Sequence, residues 1–509
     1  MGPSIKREQM AMMGYQPQDD QGKLFYYGFN LEKRIRPDHP LRKIAHLIDF
    51  DFIYEEVKDC YGIKGNVSVP PPVILKLMLL LVLYNVRSER ELMATIAERL
   101  DWIWFLGYDL DNEIPNHSVL SKARTRWGVE AFQHFFERIV WQCVEAGLVD
   151  GSKLFMDASL VQADASNDSV VNRQSLERHL NRSYRELEAR LEEQSSEGAV
   201  SGEVNRRYIS TTDPEASVVR QGKGQAKLSY KIHRAVDSQA EVITATEVTP
   251  GQVNEAHRLP SLIEQHNQNT EKPVETVVAD SKYGTVENYL HCHDQALAAH
   301  MPDLKDHQEN TGRRAGIFTE EAFAYDPQTD TYQCPAGQRL AIRRYHAQRQ
   351  AVEYVCARKV SKSCPLRDQC TRSKTGRSIK RHLRHEDLTV MRAKARSPVA
   401  KKDLQIRQHL MERSFAQATR YGFKRARWRN LWRVQIQEYL TAAIQNIMIL
   451  VRYVKEQKPA GALKQLAGKR IRRIVGIRLL LWGWWRSSSS AWVVRPAAST
   501  NSSRFYFRL

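Results

Sequence analysis

The spacing of apolar and polar positions divides the chain into stretches of different character. Residues 41–128 carry apolar positions at helical spacing. Within them "SERELMATIAERL" opens on Ser88, a residue suited to cap a helix, with acids in the first turn. The run "VILKLMLLLVLY" (residues 73–84) is about half a membrane span and contains Lys76, which predicts a buried helix. "EIPNHSVLSKARTRW" offers a Pro-Asn turn and then a basic helix through Lys122, Arg124 and Arg126. That order suits a helix-turn-helix on DNA and equally an ordinary bundle with a solvated basic face. "KLFMDASLVQADAS" (153–166) reads as a strand interrupted by one acid, Asp157. Alternating Arg and Glu over 175–194 predict a solvated helix. "AKLSYKIHRAVD" and "AEVITATEVTP", parted at Ser238 and Gln239, predict a β-hairpin. A helix over 254–265, a short strand "VETVVAD" ending at Asp280, and a helix through "TVENYLHCHDQALAAH" follow. Residues 401–450 show helical periodicity in two stretches broken near Gly422.

Composition narrows the function. The 509 residues hold 77 Lys+Arg against 58 Asp+Glu, a net charge of +19, which points to a polyanionic partner, most often nucleic acid. The length suits roughly two to four domains of about 150 residues and excludes collagen-like and wholly disordered chains. Seven scattered cysteines do not make a secreted disulfide framework, and the first residues, "MGPSIKREQM", hold no apolar signal core. A cytoplasmic protein is expected. Residues 305–400 are basic, turn-rich and hold Cys334, Cys356, Cys364 and Cys370 in a C-x21-C-x7-C-x5-C pattern. Four thiolates can hold a structural Zn²⁺, although the tight C-x2-C knuckles are missing; reduced thiols in a basic insert are the alternative.

Carboxylates are uncommon in buried strands because desolvating an unpaired charge is costly. Asp157 and Asp280 therefore stand out, whereas Asp164, Asp168 and Asp237 read as loop acids. Glu412 lies in a segment, 401–430, with nine Lys/Arg and two acids. Glu412 could be a plain surface-helix acid, but an acid in so basic a helix is also placed to meet a metal while its neighbours hold phosphates. Three hard oxygen donors suit Mg²⁺ or Mn²⁺, which can activate water or a 3′-OH for in-line phosphoryl transfer. In "KRARWRNLWR" (424–433), Lys424, Arg425, Arg427 and Arg429 are candidate phosphate contacts, and Trp428 and Trp432 are expected to pack inward. Lys231 and His233 alternate on one strand and share a face that could approach DNA, although His233 serves equally as a neutral structural histidine.

The blocks "FMDASLVQADAS", "YKIHRAVD…VITATEVTPGQVNEAH", "VVADSKYGT" and "MERSFAQATRYGFKRARWRNL…VQIQEYLTAAIQNI" resemble, in order, those of bacterial insertion-sequence transposases of the DDE type. The likeness extends over residues 14–455. It implies an α/β fold with an RNase H-like mixed-sheet catalytic core, a helical N-terminal domain and a Cys-containing basic insert. The corresponding divisions are 1–145 for a helical DNA-binding domain, 146–304 and 401–455 for the two parts of the core, 305–400 for the insert, and 456–509 for a basic tail. The resemblance places the catalytic, metal-binding triad on Asp157, Asp280 and Glu412. Arg407 matches an expected basic position. Where the family has a basic residue about two turns after the glutamate, this chain has Thr419, with Arg420 and Lys424 nearby. The implied chemistry is Mg²⁺- or Mn²⁺-dependent cleavage at the terminal inverted repeats of the element, followed by strand transfer into target DNA by a homodimer or higher assembly. A nuclease that cuts without joining, an inactive DNA-binding relative and an RNA-binding protein are the alternatives.

Overall fold

The computed structural model describes residues 14, 30–62, 66–172, 205, 207–220, 224–303, 316–373 and 375–456. The expected helix over 175–194 and the basic tail lie outside these residues.

The first helices are α1 (Leu31–Arg34), α2 (Pro40–Leu47), α3 (Phe52–Val57), α4 (Pro71–Leu83), α5 (Glu89–Ile96), α6 (Leu100–Leu106), α7 (Ser118–Trp127) and α8 (Glu130–Glu145). Two prolines open α4, where a missing N–H costs nothing, and it is apolar on all sides, so α3, α5, α6 and α7 can pack around it. Its one charge, Lys76, lies 5.4 Å from the ring of Phe50 and 5.6 Å from that of Phe105, and burial lowers its pKa. Ser88 caps α5 as expected, accepting from the Glu91 amide at 3.2 Å. Among the described residues no helix is long and apolar enough to cross a membrane.

The core sheet begins with β1 (Lys153–Gln162). After the two-stranded pair β2 (Val170–Asn172) and β3 (Tyr208–Ser210) come β4 (Ser217–Arg220), β5 (Ala226–Asp237), β6 (Ile243–Pro250), β7 (Thr276–Val278) and β8 (Ala298–His300). β5 runs antiparallel to β1, β4 and β6, whereas β1, β7 and β8 run parallel. The hairpin forms where the two β-rich runs predict it. The run ending "LAAH", expected to stay helical, instead ends in β8, because the helix stops at Asp294 and the chain turns through Ala296 at φ 56°.

Two helical layers bury the sheet. α9 (Leu259–Thr270) and α10 (Val286–Asp294) pack Leu259, Leu262, Tyr289 and Cys292 on Leu154, Met156, Ala235 and Ala245. A second, antiparallel sheet is inserted after β8, in the order β13-β12-β11-β10-β9: β9 (Ala324–Asp326), β10 (Thr331–Gln333), β11 (Arg339–His346), β12 (Ala351–Cys356) and β13 (Ser378–His382). Two short helices, α11 (Arg358–Lys362) and α12 (Arg367–Cys370), interrupt it. α13 (His385–Ala395) belongs to the core rather than to the insert that composition suggests. Its Leu388, Met391 and Ala395 form one apolar stripe packed into the α9–α10 layer.

α14 (Pro398–Ala418) and α15 (Leu431–Glu456), separated at Gly422 (φ 83°), pack on the other sheet face. A buried ion pair ties this layer down. Arg234 of β5 donates to both Glu438 oxygens at 2.7 and 3.0 Å and to Gln445 Oε1 at 2.9 Å, with both charged side chains fully buried. Replacing Arg234 by Met strands a buried carboxylate and should cost about 3–5 kcal/mol in denaturant melts, whereas Arg234→Met with Glu438→Leu should recover most of that loss.

Candidate active site

The register of β1 and β7 brings two acids together. Phe155 pairs with Val278, and two residues beyond that last pair stand Asp157 on β1 and Asp280 after β7. β7 ends there while β1 continues, so both acids stand at the carboxyl end of a parallel pair. The third acid is Glu255. Asn254 turns the chain after β6, its Oδ1 accepting the Ala256 amide at 3.2 Å, and Glu255 follows in the 3₁₀ turn that leads into α9. Single carboxylate oxygens of Asp157, Glu255 and Asp280 lie within 4.8 Å of one another.

Cations surround this cluster. Arg407 of α14 pairs with Asp157 Oδ2 at 2.9 Å and donates to the Met156 carbonyl at 3.0 Å. Lys282 donates to Glu255 Oε1 at 2.7 Å, and the Lys231 ammonium lies 3.5 Å from the same oxygen. Burial pushes the Asp157 carboxyl up to about 6, against the pull of Arg407 and with the aid of the neighbouring Asp280 and Glu255 charges. Beside the cluster, Glu255 Oε2 and the Tyr283 hydroxyl are buried without a partner among the described residues. Burial, with Glu255, Asp157 and Asp280 near, holds that phenol well above its ordinary pKa. Hard oxygen donors, one of them an orphaned carboxylate oxygen, fit a divalent cation.

The structure places several of the expected residues apart from the cluster. Glu412 does not join the cluster. In α14 the residues Asp403, Leu410, Ser414 and Ala418 are buried toward the sheet, and Glu412 lies on the exposed side with its Oε1 3.2 Å from Gln408 Nε2. The helical period carries its side chain away from the turn that serves Asp157. Glu255 escapes sequence reading because an acid just after an N-cap is the ordinary place for one.

Among the candidate DNA contacts, Arg407 is engaged by Asp157, and Lys231 donates to the Val253 carbonyl at 2.8 Å beside Glu255. His233 is fully buried against Thr249 Oγ1 at 2.8 Å. Burial, with Lys231 and Arg258 near, pushes its pKa down to about 3, so it is neutral and no phosphate ligand. Arg427 is also structural: it donates to the Val86 carbonyl at 2.6 Å and to Asn85, clamping the end of α4 to the loop before α15. Arg124, expected on a basic helix face, is buried, pairing with Glu89 at 2.5 Å and lying 4.0 Å from the Trp428 ring. Arg420 and Lys424 are exposed, and Arg425 and Arg429 stand at the surface around Asp164.

Residues 29–126 match the family described as a transposase domain (DUF772), and residues 333–451 match the one described as a transposase DDE domain. No curated protein matches the chain. Among solved structures, the cryo-EM structure of the piggyBac transposase synaptic complex with hairpin DNA is similar at 10% identity and a TM-score of 0.37, over 91% of this chain and 87% of that one. A likeness at that score carries no argument about the chemistry.

The raised Asp157 pKa has a consequence for stability. Between about pH 4 and 6 the folded chain keeps a proton on Asp157 that the unfolded chain has released, so this group stabilises the fold as pH falls from 7. In the presence of chelator, Asp157→Asn should be more stable than the unmodified protein by about 1–2 kcal/mol at pH 7.5. The difference should shrink at pH 5, as read from paired thermal melts.

Proposed function

Starting from a DDE transposase, an enzyme that moves DNA by cleavage and strand transfer and uses divalent metal, we propose that Asp157, Asp280 and Glu255 form its metal-binding centre and that the metal is Mg²⁺ or Mn²⁺. The observation that carries this reading is the convergence of the three carboxylates within 4.8 Å, with Glu255 Oε2 buried and lacking a partner among the described residues. A divalent ion there supplies the Lewis acidity that turns water or a 3′-OH into a nucleophile and stabilises the leaving oxygen.

The chain's own residues orient that centre. Arg407 fixes the Asp157 carboxylate, and Lys282 and Lys231 hold one Glu255 oxygen and leave the other without a partner among the described residues. Arg420, Lys424, Arg425 and Arg429, all at the surface, are the phosphate contacts on this reading; Lys424 and Arg425 lie against the end of β1. The DNA is that of the terminal inverted repeats of the element and of its target, and two ends joined in one reaction call for a homodimer or higher assembly.

Asp280→Asn and Glu255→Gln should each lower metal-dependent nicking of element-end DNA by about a hundredfold or more while sparing DNA binding in a shift assay. Glu412→Gln should nick at close to the unmodified rate; the reverse pattern returns the α14 acid to the centre and removes Glu255. Pre-cut ends should be joined to target DNA in the same assay, and cutting without joining would make the protein a nuclease.

A further inference from the structure

The inserted sheet has a small core. Phe323, Tyr332, Leu340, Tyr354 and Ile379 are its buried apolar side chains, with Cys334, Cys356 and Cys370 packed partly against them. Burial on that scale leaves a module of this size short of stabilisation, and small modules of that kind are commonly held by a staple. All four cysteines of the insert are free thiols, half-buried, and line one cavity with Phe323, Leu340 and Arg377.

They come from four different places. Cys334 follows β10, Cys356 ends β12, Cys364 stands between α11 and α12, and Cys370 ends α12. The Cys334 loop curls round its own sulfur. Gly337, at φ 71°, donates to the Cys334 carbonyl at 2.8 Å, and the Gln338 amide points at Cys334 Sγ at 3.3 Å. Arg367 fastens the loop that carries the other pair, donating to the Ser361 carbonyl at 2.9 Å and to the Ser373 carbonyl at 2.9 Å. Arg377, at the cavity wall, has its Nε buried without an acceptor, a cation placed where four thiolates would leave an excess of negative charge.

We propose that Cys334, Cys356, Cys364 and Cys370 bind one structural Zn²⁺ that closes this cavity and staples α11 and α12 to the inserted sheet. Four sulfur donors with no open position select a soft, tetrahedral ion and leave it no place for substrate. The sulfurs line the cavity wall without yet converging, and bonds of about 2.3 Å to one ion draw them inward. The site is chemically separate from the carboxylate centre, whose oxygen donors suit a harder ion. It stands or falls independently of the catalytic assignment.

The test uses the full chain, grown with zinc and desalted. Elemental analysis should find about one zinc per chain, and Co²⁺ loaded in its place should show the absorption of tetrahedral thiolate coordination. Cys364→Ser should lose the ion. Because that variant can also misfold, the unmodified protein provides the second reading: chelator should release zinc as the four insert thiols become reactive to a thiol reagent and as protease sites open within residues 316–382. Asp280→Asn should keep its zinc in full. A chain purified without zinc whose insert thiols react equally with and without added Zn²⁺ overturns the proposal. So does iron with acid-labile sulfide, or loss of zinc in Asp280→Asn, which would put the ion at the carboxylates.

Discussion

Burial of three carboxylates side by side, those of Asp157, Asp280 and Glu255, is the constraint that the elements around β1 and β7 must meet. Three carboxylates in a half-buried cluster are unfavourable neighbours, and each element that meets them supplies compensation. α14 brings Arg407 to Asp157, β5 brings Lys231, and the turn after β7 brings Lys282 to Glu255. The compensation is incomplete: Asp157 keeps a raised pKa, and one Glu255 oxygen has no partner among the described residues. A bound cation, as proposed above, would relieve the charge that remains.

Holding such a cluster needs a scaffold that does not yield, and the Arg234–Glu438 pair contributes one. Asp157 and Arg234 are cross-strand partners, so they share the face covered by α14 and α15. The Arg234 guanidinium, locked to Glu438 and Gln445 and lying 5.0 Å from each of the Phe415 and Phe423 rings, fixes both helices against β5, the strand paired with the one that carries Asp157. Arg407 then reaches Asp157 from a helix whose position is already set. The N-terminal helices join the same frame through Arg427 on the end of α4 and through Trp428, which donates to Glu89 of α5 at 3.2 Å. Residues that charge alone would assign to DNA are therefore partly the fastenings of the protein itself. The guanidinium group serves both purposes because its planar set of donors matches carbonyl and carboxylate acceptors as well as phosphate.

Much of the architecture was legible along the chain. The strand-like and β-rich runs became β1, β5, β6 and β7; the apolar block at 73–84 became the buried α4; and Ser88 became the cap it resembles. Asp157 and Asp280 were legible because a carboxylate at a buried strand needs a reason. Glu255 was not, since its local setting is that of any acid at a helix start. Glu412 draws attention as an acid among basic residues whichever way its helix faces, and only burial of Asp403, Leu410 and Ser414 reveals that it faces outward, away from the cluster.

By itself the sequence determined local conformation, the order of strand and helix, the excess of positive charge and the family likeness, because these depend on residue type and near-neighbour spacing. The tertiary structure alone decided which acids meet and which cations are already occupied. A one-residue change of strand register or a quarter-turn of helix phase leaves composition and spacing untouched, yet it moves a side chain from the cluster to the solvent.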